Sequence, residues 1–413
     1  MCVGPIIGCP STPCDDDSQG PWCVVTDKNC SGATGVWEGG RKYYYAYCSP
    51  ASPRGPKLAP DSSSIRYIGR FDMANPKAPR FAWSMTGLTA TFQGSQAVYG
   101  MFSFPKVGGR LRVVVDGETV GFVQQSGASS LKQFLLADDL NSSTSHVLEV
   151  YKVTEKGDMT FGGFQLASGS FARAPKAPAR RIEFIGDSDT AGWCADGSPL
   201  TGRKDAAFED AYVAWAQQIA RSLGAEPMVE AVTGWGVTNL TVPIQNVLDY
   251  SIRFEPKVSW DYSKWTPDAV VIMIGANDFP MKKIQERDFI KQYKGLMDMV
   301  ATNYKNAETP PTLIHVCGGC INGLEPCDDI QIANEQFNAE QEQKKSGFKG
   351  FFTSITREHW NMINAPWGMG ISAYNGCAGI YDGHYNEKGH RIVARDILPQ
   401  IQKIMGWDAL VWM

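Results

Sequence analysis

The sequence predicts an α/β chain built on a parallel sheet, preceded by an all-β domain and a small cystine-rich head. Three observations carry this. Six of the eleven cysteines fall within the first 48 residues. From residue 64 to residue 170, short alternating strands follow one another between Gly-rich turns. After Arg181 the texture becomes strand, loop and helix in alternation, which implies a parallel sheet covered by helices. At 413 residues the chain exceeds one ordinary core, so more than one domain is expected.

The head, residues 1–48, carries Cys2, Cys9, Cys14, Cys23, Cys30 and Cys48 among glycines and prolines. An even, dense set of this kind reads as a disulfide framework, although sequence alone does not choose the pairing. The rival, a zinc knuckle, lacks support: no histidine precedes His146, and this stretch has no C-x2-C. Trp22, Trp37 and Tyr43, Tyr44, Tyr45 and Tyr47 either pack around the disulfides or present a surface for carbohydrate or protein. Residues 49–63, with Pro50, Pro53, Pro56 and Pro60, read as a linker.

Residues 64–170 read as a β-sandwich or jelly roll. The run Leu111 to Val115 ends in the hairpin signal Asp116-Gly117, and His146 to Tyr151 alternates in the same manner. Residues 171–180, with Pro175 and Pro178, form a second linker ahead of an α/β domain at 181–413. There, Ile182 to Ile185 is a short apolar strand that runs into Gly186-Asp187-Ser188. Tyr212, Trp215, Ile219 and Leu223 follow helical spacing and stop at Gly224. Further strands are expected at 228–232, 269–274 and 312–316, and a last helix from about Lys388.

Composition narrows the function. A hydrophobic content of 43%, 20% charged residues and a net charge of −4 fit a globular protein with no basic footprint for nucleic acid or an anionic membrane. No run reaches the length of a spanning helix. No leader is visible at Met1, but the cysteine-rich head and the sequons at Asn29, Asn141 and Asn239 lead us to expect a secreted chain.

Four strand ends then line up. They are Gly186-Asp187-Ser188, Thr233-Gly234-Trp235-Gly236, Gly275-Ala276-Asn277-Asp278 and Tyr381-Asp382-Gly383-His384-Tyr385-Asn386. Open α/β sheets hold their ligands at such ends. Together these residues suffice for acyl transfer. Ser188 is the nucleophile, His384 its base and Asp382 the residue that orients the base. The amides of Ser188 and Gly234 and the side chain of Asn277 are the oxyanion donors. Trp193, Trp235 and Trp367 either line the substrate pocket or pack in the core. Asp278 is expected to be structural, as is His390.

In its four blocks the sequence resembles the SGNH (GDSL-like) hydrolase superfamily. Within it, Arg66-Tyr67-Ile68-Gly69-Arg70-Phe71, Phe81-Ala82-Trp83-Ser84, Val115-Asp116-Gly117, Phe161-Gly162-Gly163-Phe164 and Trp260-Asp261-Tyr262-Ser263-Lys264-Trp265 look like carbohydrate esterase family 2. The resemblance covers roughly residues 64–405. It implies an SGNH-type three-layer α/β/α domain behind a jelly roll, and an O-deacetylase acting on acetylated carbohydrate with no metal or other cofactor.

Three positions depart from the pattern. Asp189 stands where an apolar residue usually follows the nucleophile, Tyr385 stands where proline is common, and Asp382 is two residues before His384 rather than three. Asp189 is expected to turn to solvent or to a basic partner such as Arg203 or Lys204. An alternative reading, raised by Asp189 and by the head, is a carbohydrate-binding or structural protein that kept the fold and lost efficient catalysis. Cys317-Gly318-Gly319-Cys320 with Cys327 and His315 offers a metal set. Disulfides among Cys194, Cys317, Cys320, Cys327 and Cys377 are the preferred reading.

Overall fold

The structure is a computed structural model. It describes residues 22–25, 34–38, 41–47, 53–106, 109–125, 127, 129–196, 208–278, 284–317, 326–356 and 384–410. The chain divides into two units, Met1–Arg54 and Gly55–Met413. In the first, strands β1 (Trp22–Val25), β2 (Thr34–Glu38) and β3 (Arg41–Tyr47) form an antiparallel sheet in the order β1-β3-β2. Most of the head's cysteines, and every pairing expected of them, lie outside the described residues.

The second unit opens with two antiparallel sheets. One contains β5 (Ile65–Ile68), β7 (Gly87–Gln93), β9 (Gly109–Val115), β10 (Glu118–Gln125), β12 (Ser145–Lys152) and β14 (Ser170–Phe171). The other contains β4 (Lys57–Leu58), β6 (Arg80–Phe81), β8 (Val98–Ser103), β11 (Lys132–Ala137) and β13 (Met159–Leu166). Phe81, Leu88, Phe92, Phe102, Val113 and Phe161 fill the space between them. This is the expected jelly roll, two antiparallel sheets packed face to face. Strand β9 is buried along its whole length. Leu111, Val113 and Val115 face the sandwich core. From the same strand Arg110 and Arg112 reach Asp196 and Asp210 of the following domain.

That domain is a five-stranded parallel sheet in the order β16-β15-β17-β18-β19. The strands are β15 (Arg180–Gly186), β16 (Ala225–Ala231), β17 (Ala269–Met273), β18 (Thr312–Cys317) and β19 (Lys349–Ser354). Strand β17 is buried at all five positions, as a parallel strand covered on both faces must be. Alternate residues separate into two cores. Ala269 and Val271 pack with Trp215 and Ile219 of α2 (Trp215–Ser222) and with Ile397 of α5 (Glu387–Met405). Val270 and Ile272 pack with Phe289 and Leu296 of α3 (Glu286–Asn303) and with Phe337 of α4 (Cys327–Lys344). Helices therefore cover both faces, giving three layers.

Strand order reverses on either side of β15: the chain goes first to β16 on one flank and then to β17 on the other. In a doubly wound sheet this reversal opens a crevice at the strands' carboxyl ends. Ser188, Asn277 and His384 come together at that crevice.

Candidate active site

Strand β15 ends at Gly186, and the next four residues, Ser188–Ala191, form a one-turn helix, α1. Gly186 is required by close packing. A Cβ there would lie 2.1 Å from Thr190 Oγ1 and 2.9 Å from the Met273 carbonyl. Asp187 caps the turn by accepting the Asp189 N–H at 3.2 Å. Ser188 is thereby held at the mouth of the crevice, 6% exposed. Its Oγ lies 2.9 Å from His384 Nε2, across 196 residues of sequence. This is hydrogen-bond geometry for proton transfer between a hydroxyl and an imidazole.

His384 reaches the serine from just ahead of α5. Asn386 caps that helix by accepting the N–H groups of Lys388 and Gly389, and the Glu387 N–H bonds the Ala195 carbonyl. Asp382 and Trp367 lie outside the described residues. The other described histidines stand in different surroundings. His315 and His390 are fully buried, and burial pushes each imidazole down to about 3, with the charge of His384 adding to the effect on His390. His146 sits in the jelly roll against Asp116 at 2.6 Å.

The second strand end forms a tight turn. The Trp235 N–H donates to the Val232 carbonyl at 3.2 Å, and Gly234, the third residue, has φ +79°. A type II turn demands positive φ at that position, where glycine carries no steric cost. Gly234 is exposed, with open space where a Cβ would be. The turn is tied down on both sides. Ahead of it, the Thr233 N–H donates to Glu155 Oε2 at 2.7 Å. Behind it, Asp278 accepts the N–H groups of Val237 and Thr238 at 3.0 Å each, and the Thr238 hydroxyl at 2.6 Å. Burial raises the Asp278 carboxyl and these bonds oppose the rise. Asp278 is structural, as its neighbours in sequence suggested.

Asn277 Nδ2 donates to the Trp235 carbonyl at 2.8 Å and to Asp187 Oδ2 at 3.2 Å. Asn277 is thus beside the serine turn and the glycine turn together, with both amide hydrogens inside reach of acceptors. The burial of Asp187 pushes its carboxyl up to about 7. Gly234, Asn277 and Ser188 therefore converge on one crevice. Trp235 borders it half-buried, its ring 5.9 Å from that of Phe254, which is 62% exposed. Trp193 is half-buried, with Lys156 Nζ 5.7 Å from its ring.

For Asp189 only the solvent half of the expectation is overturned. It does not turn to solvent: it is 6% exposed and lines a narrow cleft with Met273, Ile274, Val316, Pro326 and Ile330. The reason is local. A one-turn helix starting at Ser188 sends its second side chain back beneath the strand ends. Arg203 and Lys204 lie outside the described residues.

Sequence reasoning missed Glu155, Lys156, Arg253 and Phe254. A charged Glu-Lys-Gly turn after an apolar strand reads as a solvated hairpin, and the sequence carries no signal that it is buried against Thr233. The structure bridges Cys317 to Cys327, and Cys194 is also disulfide-bonded. That bridge removes two thiols from the metal set suggested by C-x2-C. Among the described residues no cluster of His, Cys, Asp and Glu is arranged to hold a metal ion.

Two family profiles match the chain: carbohydrate esterase 2 N-terminal over residues 67–175, and the GDSL-like lipase/acylhydrolase family over residues 184–392. The chain is 29% identical over 365 residues to the cellulase/esterase CelE of Acetivibrio thermocellus, covering 84% of this chain. It spans only 40% of that relative's length. It is 20% identical over 360 residues to an acetylxylan esterase/glucomannan deacetylase of Cellvibrio japonicus, covering 85% of this chain and 91% of that one. Among solved structures, a family two carbohydrate esterase from Clostridium thermocellum in complex with cellohexaose superposes with a TM-score of 0.70. The two are 25% identical over 83% of this chain and 99% of that chain.

Proposed function

The chain belongs to the GDSL-like lipase/acylhydrolase family, and from that premise we propose that it is a serine esterase that removes O-acetyl groups from carbohydrates. The observation that carries the reading is the 2.9 Å contact between Ser188 Oγ and His384 Nε2 at the sheet's switch point. The jelly roll preceding the sheet, and the carbohydrate esterases among the relatives, support the substrate class.

The chemistry follows from the residues. His384 Nε2 takes the Ser188 proton as Oγ attacks the acetyl carbonyl carbon. Charge then gathers on the former carbonyl oxygen, and the Ser188 and Gly234 N–H groups face it. Asn277 Nδ2 joins them by giving up its longer bond, the one to Asp187. His384 returns the proton to the departing sugar oxygen, leaving an acetyl-serine. Water activated by the same imidazole then attacks that ester, releasing acetate and restoring Ser188. Asp382 orients the His384 ring in this scheme. Trp193, Trp235 and Trp367 contact the sugar, and Phe254 extends the aromatic border, backed by the Arg253 guanidinium 4.6 Å from its ring. Carbohydrates suit such surfaces because a pyranose ring has apolar faces and a polar rim. The chain's disulfides suit an oxidising, extracellular setting.

The test is acetate release from p-nitrophenyl acetate, acetylated xylan and acetylated glucomannan. The protein is expected to turn over at least one of them. Ser188→Ala should lower kcat by about 10⁴-fold or more, because it removes the nucleophile itself. No acetate from any of the three, or undiminished turnover in Ser188→Ala, would reject the reading in favour of a fold kept for binding.

A further inference from the structure

We infer that Glu155, a residue of the jelly roll, is a positioning residue for the oxyanion turn of the neighbouring domain. The inference rests on the esterase reading above. The Glu155 side chain is 3% exposed, and its Oε2 accepts the Thr233 N–H at 2.7 Å. The peptide on the other side of Thr233 carries the Gly234 N–H. Gly234 itself has no side chain, and a Cβ there would meet nothing within 4 Å, so no side-chain packing holds it in place. Asp278 fixes the turn from residue 237 onward. Ahead of the turn the Val232 N–H bonds the Gly186 carbonyl at 3.2 Å, and the Glu155 carboxylate holds the next N–H, that of Thr233.

A carboxylate this close to a developing oxyanion would oppose catalysis if it stood alone. It does not. Arg253 Nη1 lies 3.7 Å from Oε2, Lys156 Nζ lies 3.3 Å from Oε1, and Arg253 also bonds the Glu155 carbonyl. The Glu155 N–H is in turn held by buried Glu209, from the loop ahead of α2. The carboxylate is locally neutralised while its oxygen remains an acceptor. Glu155 touches no reacting atom. It acts through Thr233, so the jelly roll completes the catalytic site rather than only flanking it.

The experiment compares the full chain carrying Glu155→Ala and Glu155→Gln with wild type. Kinetics on p-nitrophenyl acetate are followed together with hydrogen exchange at the Thr233 amide. Losing the alignment of one oxyanion donor costs about 10²-fold, so Glu155→Ala should lower kcat by roughly 30- to 100-fold, with KM within about threefold. Glutamine keeps an acceptor oxygen, so Glu155→Gln should recover kcat to within about fivefold of wild type. Exchange at Thr233 should accelerate in the alanine variant and not in the glutamine variant.

A folded Glu155→Ala protein with kcat within threefold of wild type overturns the inference, as does a change confined to KM. Should Glu155→Ala fail to fold, Glu155→Asp, which withdraws the oxygen by one methylene, carries the same comparison. Exchange needs no substrate. If the wild-type protein releases no acetate, the esterase reading fails, and unchanged exchange at Thr233 still overturns the positioning role by itself.

Discussion

Gly234 isolates a backbone effect at the scale of one residue. Its φ of +79° costs an L-residue roughly 1–2 kcal/mol, yet a Cβ there meets nothing within 4 Å. Gly234→Ala therefore adds no clash and acts only by turning the amide away from its present direction. We expect kcat to fall by about 10- to 100-fold, with the melting temperature lowered by a few degrees. A variant with wild-type kcat would remove the Gly234 amide from the mechanism. Residues at this scale were unequally legible. Ser188 and His384 could be read because each stands in a short block, one at a strand end and one ahead of the last helix, and because four blocks agree. Asp189 could not, because its direction is set by the one-turn helix. Glu155 could not either, because its burial depends on Thr233, 78 residues later in the following domain.

Among the elements, the turn between β9 and β10 shows how charge fastens the jelly roll. Asp116 accepts from His146 Nδ1 at 2.6 Å and from the Val147 N–H at 2.8 Å. Burial works against a charge on His146, but the Asp116 bond, the Asn141 carbonyl and the Asp116 charge outweigh it and raise the imidazole above its ordinary value. The sign follows. A group raised in the folded state stabilises fully below its unfolded value, near 6.5, and loses that contribution as pH rises through the folded one. Asp116→Asn should thus lower the melting temperature more at pH 5.5 than at pH 8.5. Equal losses at both would show that the pair does not carry charge. Elements were legible where a helical period was strong, as in α2 and α5, or where an apolar run was unbroken, as in β17. The edge strand β19 was missed because Lys349-Gly350-Phe351-Phe352-Thr353-Ser354 is short and interrupted by glycine. Helix α4 was missed because its exposed faces are mostly Asn, Gln and Glu, and few apolar residues mark its inner stripe.

For the whole of unit Gly55–Met413, the decisive feature is a set of arginines that leave the jelly roll and end on carboxylates of the parallel-sheet domain. Arg66 meets Glu226, Arg110 meets Asp196 and Arg112 meets Asp210. Arg70, fully buried, meets Glu183 at 2.8 Å and Glu230 at 2.9 Å and lies 5.2 Å from the Trp260 ring. Burial pushes the Glu230 carboxyl well up; Arg70 pulls against this, while the charge of Glu183 adds to it. Removing one partner of such a group leaves desolvated charge behind, so Arg70→Met should cost about 3–5 kcal/mol. Because the loss falls on both domains, calorimetry of residues 55–413 should show one transition in wild type and in the variant. Two separate transitions in wild type would contradict this coupling. The sequence showed both domains but not this bond between them, since an arginine inside an all-β pattern looks like any solvated strand residue. Its consequence reaches into synthesis. Arg70 precedes Glu183 by 113 residues and Arg66 precedes Glu226 by 160. At ribosomal speeds of about 5–20 residues per second, these two arginines wait roughly six to thirty seconds for their carboxylates. The jelly roll thus emerges with arginines that only the later-made half neutralises, and the nascent chain must keep them wet until their partners arrive.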